Sequence, residues 1–139
     1  IPMKWRGAYV ATKYALEGLT DTLRLEMADT PIRISLIEPG PITTRFRANA
    51  ALAFDRWIDW QASARADQYR NELLGRLKSA TEGKDPFELP ASAVTKKLIH
   101  ALEARRPKPR YFVTVPTWGA AILSRVLPTR ALDWIVGKG

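Results

Sequence analysis

Ala8-Tyr9-Val10-Ala11-Thr12-Lys13-Tyr14-Ala15-Leu16-Glu17-Gly18-Leu19 is the stretch whose reading decides the fold. Its apolar positions continue at three- and four-residue steps through Leu23 and Met27, so a helix is predicted from about Tyr9 to Met27. Ala8, Ala11, Ala15, Leu19, Leu23 and Met27 form its buried stripe, and Gly18 is read as a point of close packing. On such a helix Tyr9 and Lys13 share one face, one turn apart. A cation there favours the phenolate and hence proton exchange, although a single Tyr-x-x-x-Lys is also compatible with an ordinary amphipathic helix. Asp29-Thr30-Pro31 should end the helix, since the proline ring disfavours helical geometry at Thr30. Ile32 to Ile37, rich in β-branched residues, is predicted as a strand stopped by Glu38-Pro39-Gly40-Pro41. Helix, strand and Pro-Gly turn in this order are half of an alternating α/β unit.

The remaining composition bounds the possibilities. The 139 residues are 46% hydrophobic and 26% charged, which is enough for one domain with a core. The absence of cysteine excludes a disulfide framework and cysteine-based metal or redox sites, and fits a cytoplasmic location. The start, IPMKWRGAY, lacks a secretory signal and an initiator Met, and reads as the interior of a longer domain. No apolar run approaches the ~20 residues of a membrane-spanning helix. Charge is uneven: residues 1–94 carry 13 basic and 12 acidic side chains, whereas residues 95–139 carry 9 and 2, so the net +8 is almost all C-terminal. That bias suits an acidic ligand or an anionic surface, unless acids elsewhere in a longer chain balance it.

AYVATKYALEGL followed about twenty residues later by ISLIEPGPITTRF resembles the active-site helix and following strand-loop of the short-chain dehydrogenase/reductase family. Its nearest members are similar to retinol and 17β-hydroxysteroid dehydrogenases and to bacterial aldehyde reductases. The resemblance implies the C-terminal part of a Rossmann-fold doubly wound parallel sheet, with residues 1–139 forming part of one NAD(P)-binding domain. It implies Tyr9 as the acid/base of hydride transfer between a nicotinamide and a carbonyl or alcohol, with Lys13 holding the cofactor ribose and assisting the proton transfer. Pro39 and Gly40 would wall the nicotinamide, Ile42 would meet its carboxamide through backbone atoms, and Thr44 would bond the carboxamide or pyrophosphate. A Pro-Gly loop suits that place, because ligands of open α/β sheets bind beyond the carboxyl ends of strands and glycine allows close approach. The cofactor is expected to be NADP or NAD, with NADP favoured, and no metal is called for.

The family's Gly-rich fingerprint, its Asn-Ala-Gly motif and its catalytic serine have no counterpart in this sequence; Ser35, Ser63, Ser79, Ser92 and Ser124 fall in other elements. The chain by itself is therefore expected to be inactive.

Helical periodicity from Thr44 to Lys84, with Phe46, Phe54 and Trp57 and then Tyr69, Leu73, Leu74 and Leu77, corresponds to the family's substrate lid over about 45–89. Phe46, Phe54 and Trp57 are candidate contacts for an apolar substrate, against the alternative of plain helix packing. Glu82 to Pro86 reads as a linker, and Pro90 to about Ala104 as a helix in which His100 has a structural place. Arg105 to Arg110 reads as a solvated loop rather than a nucleic-acid patch, ahead of a strand at Tyr111 to Val115. The tail, 116–139, mixes tryptophans, aliphatics and arginines in short helices, as a lid, a homo-oligomer interface or a peripheral membrane contact would. Besides the oxidoreductase, two other readings stand: a non-catalytic relative that binds or regulates, and a basic membrane-interaction module.

Overall fold

The computed structural model describes residues 1–75, 77 and 87–137, with Arg47 placed by its backbone alone. Helix α1 (Gly7–Glu26) leads to strand β1 (Leu36–Glu38), helix α2 (Phe46–Trp57) and a short helix α3 (Ala66–Gln68) that runs into a π-helical turn at Tyr69–Leu73. Helix α4 (Ala91–Glu103), strand β2 (Arg110–Phe112) and helices α5 (Val115–Val126) and α6 (Thr129–Gly137) follow. β1 and β2 pair in parallel, Leu36 opposite Arg110 and Glu38 opposite Phe112. Helices joining parallel strands make this an α/β fold, as expected of a piece of a Rossmann-type domain.

Both strands are shorter than predicted, β1 at its start and β2 at its end. Leu36 N–H donates to the Pro109 carbonyl, and Pro107 and Pro109 have no N–H with which to carry the ladder backwards. Ile32 to Ser35 therefore lie outside the strand, with Ser35 Oγ donating to the Lys108 carbonyl. At the other end Thr114 and Val115 leave β2 to begin α5, whose Pro116 occupies a first-turn position that needs no N–H. The helical periodicity of the lid is likewise interrupted: Ile58 turns extended after α2, and helical structure resumes only at Ala66. Lys84 and the Glu82–Pro86 linker lie outside the described residues.

The largest correction concerns the face that α1 presents. The stripe Ala8, Ala11, Ala15, Leu19 and Leu23 is exposed, and Gly18 faces open space, with no atom within 4 Å of the point where a side chain would begin. The covered flank is polar instead: Thr20 is buried, and Glu17, Asp21, Arg24 and Met27 are partly so. An arginine on β2, Arg110, meets this acidic flank of the helix. The chain exposes 10633 Å², against roughly 7,200 Å² expected for a closed monomer of its 15.6 kDa. Tyr111 is the buried hydrophobic residue among those described. Its hydroxyl accepts from Lys108 N–H and lies 2.9 Å from His100 Nδ1, which gives His100 its structural place at the end of α4.

A ring contact sets the lid against the residues just before α1. Trp5, at φ 67 just before the helix, holds a left-handed conformation that bulky residues seldom adopt. Its ring packs on Tyr69, with centroids 4.9 Å apart, and Tyr69 in turn meets Phe54 at 6.1 Å. At the C-terminus Val115, Trp118, Ile122 and Val126 line an exposed side of α5. No helix among the described residues is long and apolar enough to cross a membrane.

Candidate active site

The parallel pair ends where the chemistry-bearing residues gather. Beyond the carboxyl end of β1 the chain runs through Pro39 and Gly40 along one wall of an open groove of about 1200 Å³. Tyr9 and Lys13, one turn apart on α1, form part of the facing wall. Lys13 Nζ lies 5.3 Å from the centre of the Tyr9 ring, close enough for a cation–π contact. Phe46, the first residue of α2, tilts against the same ring at 5.9 Å. Tyr9 remains 41% exposed, so a ligand in the groove can reach its phenol.

The loop is held from outside by residues with no sequence signal of their own. Leu89 N–H donates to the Pro41 carbonyl and Thr43 N–H to the Leu89 carbonyl, a short parallel bridge centred on Ile42. That pairing uses the polar groups of Pro41 and Thr43. The N–H and C=O of Ile42 itself therefore make no hydrogen bond among the described residues and point away from Leu89. One free donor beside one free acceptor is what a carboxamide can satisfy. Gly40 sits at φ 74, and Thr114 and Thr117, whose hydroxyls are 2.8 Å apart, press against its α-carbon where a side chain would stand. Thr44 lines the groove, and its Oγ1 accepts from Phe46 N–H as α2 begins.

Of the residues singled out in the sequence, Tyr9, Lys13, Pro39, Gly40, Ile42, Thr44 and Phe46 meet at this groove. Phe54 and Trp57 lie elsewhere. Phe54 stacks on Tyr69, and Trp57 is 71% exposed, with the Arg56 guanidinium over its ring. Val94, Thr95 and Leu98 of α4 supply apolar lining instead, a side of the groove that no motif announces.

An ion cluster adjoins the groove, whose lining includes two of its carboxylates, Glu17 and Glu38. Arg110 Nη2 donates to Asp21 Oδ2 at 2.7 Å and lies 3.5 Å from Glu17 Oε2, while its Nε lies 3.5 Å from Glu38 Oε1. Hydrogen bonds from Arg110 and then Arg24 bring the Asp21 carboxyl down to about 2. Glu38 moves the other way: burial raises it, with help from the neighbouring Glu17, and outweighs the attraction of Arg110. The geometry agrees, since Glu38 Oε1 and Arg110 Nε are buried without a hydrogen-bond partner, their 3.5 Å separation being too long for one. The reading of Arg105 to Arg110 as solvated loop thus fails at Arg110, whose side chain is 20% exposed.

The two carboxyls have opposite effects on acid stability. Asp21, depressed in the fold, contributes stability above its ordinary value of 3.8, and that contribution disappears as the pH falls toward about 2. Glu38, raised in the fold, subtracts stability as the pH climbs above its ordinary 4.5. Asp21→Asn should therefore flatten the acid limb of an unfolding-midpoint curve between about pH 4 and 2. An unchanged limb in that window would count against the cluster.

A family model described as short chain dehydrogenase matches residues 1–53, the segment that holds Tyr9, Lys13 and the Pro39–Thr44 loop. The chain belongs to the short-chain dehydrogenase/reductase family. Among relatives of this short-chain dehydrogenase/reductase chain, the "Uncharacterized oxidoreductase YbbO" of Escherichia coli K12 is 39% identical over 136 residues, 94% of this chain and 42% of its own. The "NADPH-dependent 3-dehydrocapnine reductase" of Ornithobacterium rhinotracheale is 30% identical, over 95% of this chain and 44% of its own. Mouse "Retinol dehydrogenase 5" is 32% identical, again over 95% and 44%. The chain spans less than half the length of these curated relatives.

Proposed function

We infer that the whole protein is an NAD(P)-dependent oxidoreductase that interconverts a hydrophobic aldehyde or ketone with its alcohol, and that this chain supplies the proton-transfer side of the site. The observation that carries the reading is the convergence of Tyr9 and Lys13 with the Pro39–Thr44 loop on one groove at the end of a parallel strand. The unpaired N–H and C=O of Ile42 fit a nicotinamide carboxamide, and Gly40 lets a flat ring come close to the backbone. A bound nicotinamide supplies the hydride.

The remaining steps fall to this chain's own side chains. Tyr9 donates its phenolic proton to the carbonyl oxygen in reduction, or accepts it from the alcohol in oxidation. Lys13, one turn on, steadies the charge left on the phenol oxygen and holds hydroxyls of the cofactor ribose. Phe46, Val94 and Leu98 exclude water beside the reacting carbon and favour an apolar substrate body. Phe54 and Trp57 are not assigned to substrate. Because the groove on this chain holds one side of the site, the chain alone is not expected to turn over. The reading of NADP over NAD is supported by the relative named as NADPH-dependent.

The whole protein incubated with NADPH and decanal, a plain apolar aldehyde, should consume the cofactor and release decanol. NADPH loss no faster than without aldehyde, for decanal and for apolar ketones alike, would reject the reading.

A further inference from the structure

We propose that Arg110 is a positioning residue for Tyr9 and Lys13: from the first residue of β2 it grips α1 through Glu17 and Asp21 and so fixes the helix against the Pro39–Thr44 loop. This rests on the oxidoreductase reading of the groove.

Tyr9, Lys13, Glu17 and Asp21 follow one another on α1 at four-residue steps, so they form a single gently winding row. Tyr9, Lys13 and Glu17 line the groove, and Glu17 together with Asp21 meets Arg110. Among the described residues, every ion pair between α1 and a strand runs through Arg110, and the hydrogen bond to Asp21 is the side-chain bond that ties the helix to β2. Among the described residues packing does not duplicate this tie, because the apolar stripe of α1 faces outward. The same guanidinium also reaches Glu38, the residue immediately before Pro39. One planar fork therefore touches the helix that carries the proton donor and the strand that leads into the facing wall. Turning or sliding α1 by an ångström would carry the Tyr9 phenol away from a substrate held by the loop, and errors of that size are costly in catalysis.

The alternative is a tie that serves stability alone. Arg110→Gln in the whole protein, assayed with NADPH and decanal, separates the two. Positioning predicts that kcat per folded enzyme falls about tenfold or more, while KM for decanal stays within about threefold. Asp21→Asn should lower kcat in the same sense, and the double variant should be no worse than Arg110→Gln alone, since both remove one interaction. A folded Arg110→Gln enzyme with kcat within about twofold of the parent overturns the proposal, whatever its unfolding midpoint. Should Arg110→Gln fail to fold, Asp21→Asn is judged by the same criterion. An arm that needs no turnover accompanies these: amide hydrogen exchange over residues 7–26 should quicken in either variant, and unchanged exchange overturns the proposal. The parent enzyme separates the two failures, because NADPH loss no faster with decanal than without it sinks the oxidoreductase reading while the exchange result still decides on Arg110.

Discussion

Tyr9→Phe is expected to remove turnover by a factor of about 10²–10⁴ while leaving NADPH binding within a few-fold of the parent. The substitution deletes one oxygen and keeps the ring, so the contacts of that ring with Lys13 Nζ at 5.3 Å and with Phe46 at 5.9 Å survive. Being 41% exposed, the ring has little buried polarity to lose, and the variant should melt close to the parent. NADPH consumption with decanal reads the first quantity, and energy transfer from tryptophan to bound NADPH reads the second. Turnover within tenfold of the parent would remove Tyr9 from the reaction. Loss of binding and turnover together would instead point to a structural role.

Gly40→Ala is expected to be the most destabilising single change in the loop, by about 2–4 kcal/mol. Two costs combine. A side chain at φ 74 pays the left-handed penalty of roughly 1–2 kcal/mol, and its first carbon runs into the Thr114 and Thr117 hydroxyls. Thr114 is 3% exposed and cannot swing into solvent, so the loop has to yield. Urea unfolding reads the loss. Adding Thr117→Ala should recover the part due to collision with that hydroxyl and leave the backbone part, so partial rescue is expected and complete rescue is not. A Gly40→Ala protein as stable as the parent would mean that α5 does not press on this turn.

The residues that converge on the groove from the first third of the chain were legible because their spacing is local. Tyr9 and Lys13 need only helical periodicity to share a face, and Pro39 with Gly40 needs only a strand to stop. Leu89, Thr114 and Thr117 reach the same loop from distant segments and carry no motif, since a backbone bridge or a hydroxyl against a glycine is available to many residue types. Arg110 was hidden inside the basic run Arg105 to Arg110, where composition suggested solvent. What singles it out is its register opposite Leu36 and the acids waiting at Glu17 and Asp21. The outward face of α1 was misread for a related reason. Apolar periodicity shows that a stripe seeks cover, but not whether this chain provides it. Phe54 and Trp57 show the same ambiguity on α2, where aromatic content alone does not distinguish a groove from a stack.

The parallel pairing of β1 with β2 has a consequence for how the chain folds. Leu36 and Arg110 are about 70 residues apart, and bringing such distant points together costs about 4 kcal/mol of chain entropy. A ladder three residues long returns roughly 1 kcal/mol for each hydrogen bond, so it little more than offsets that closure. The sheet therefore cannot nucleate the fold. The helices form locally first, and the strands meet late, as is general for non-local pairings. Arg110 then acts on the clock as well as the geometry: opposite charges at the two ends of a long loop attract before any ladder bond exists, so folding should slow as salt screens them.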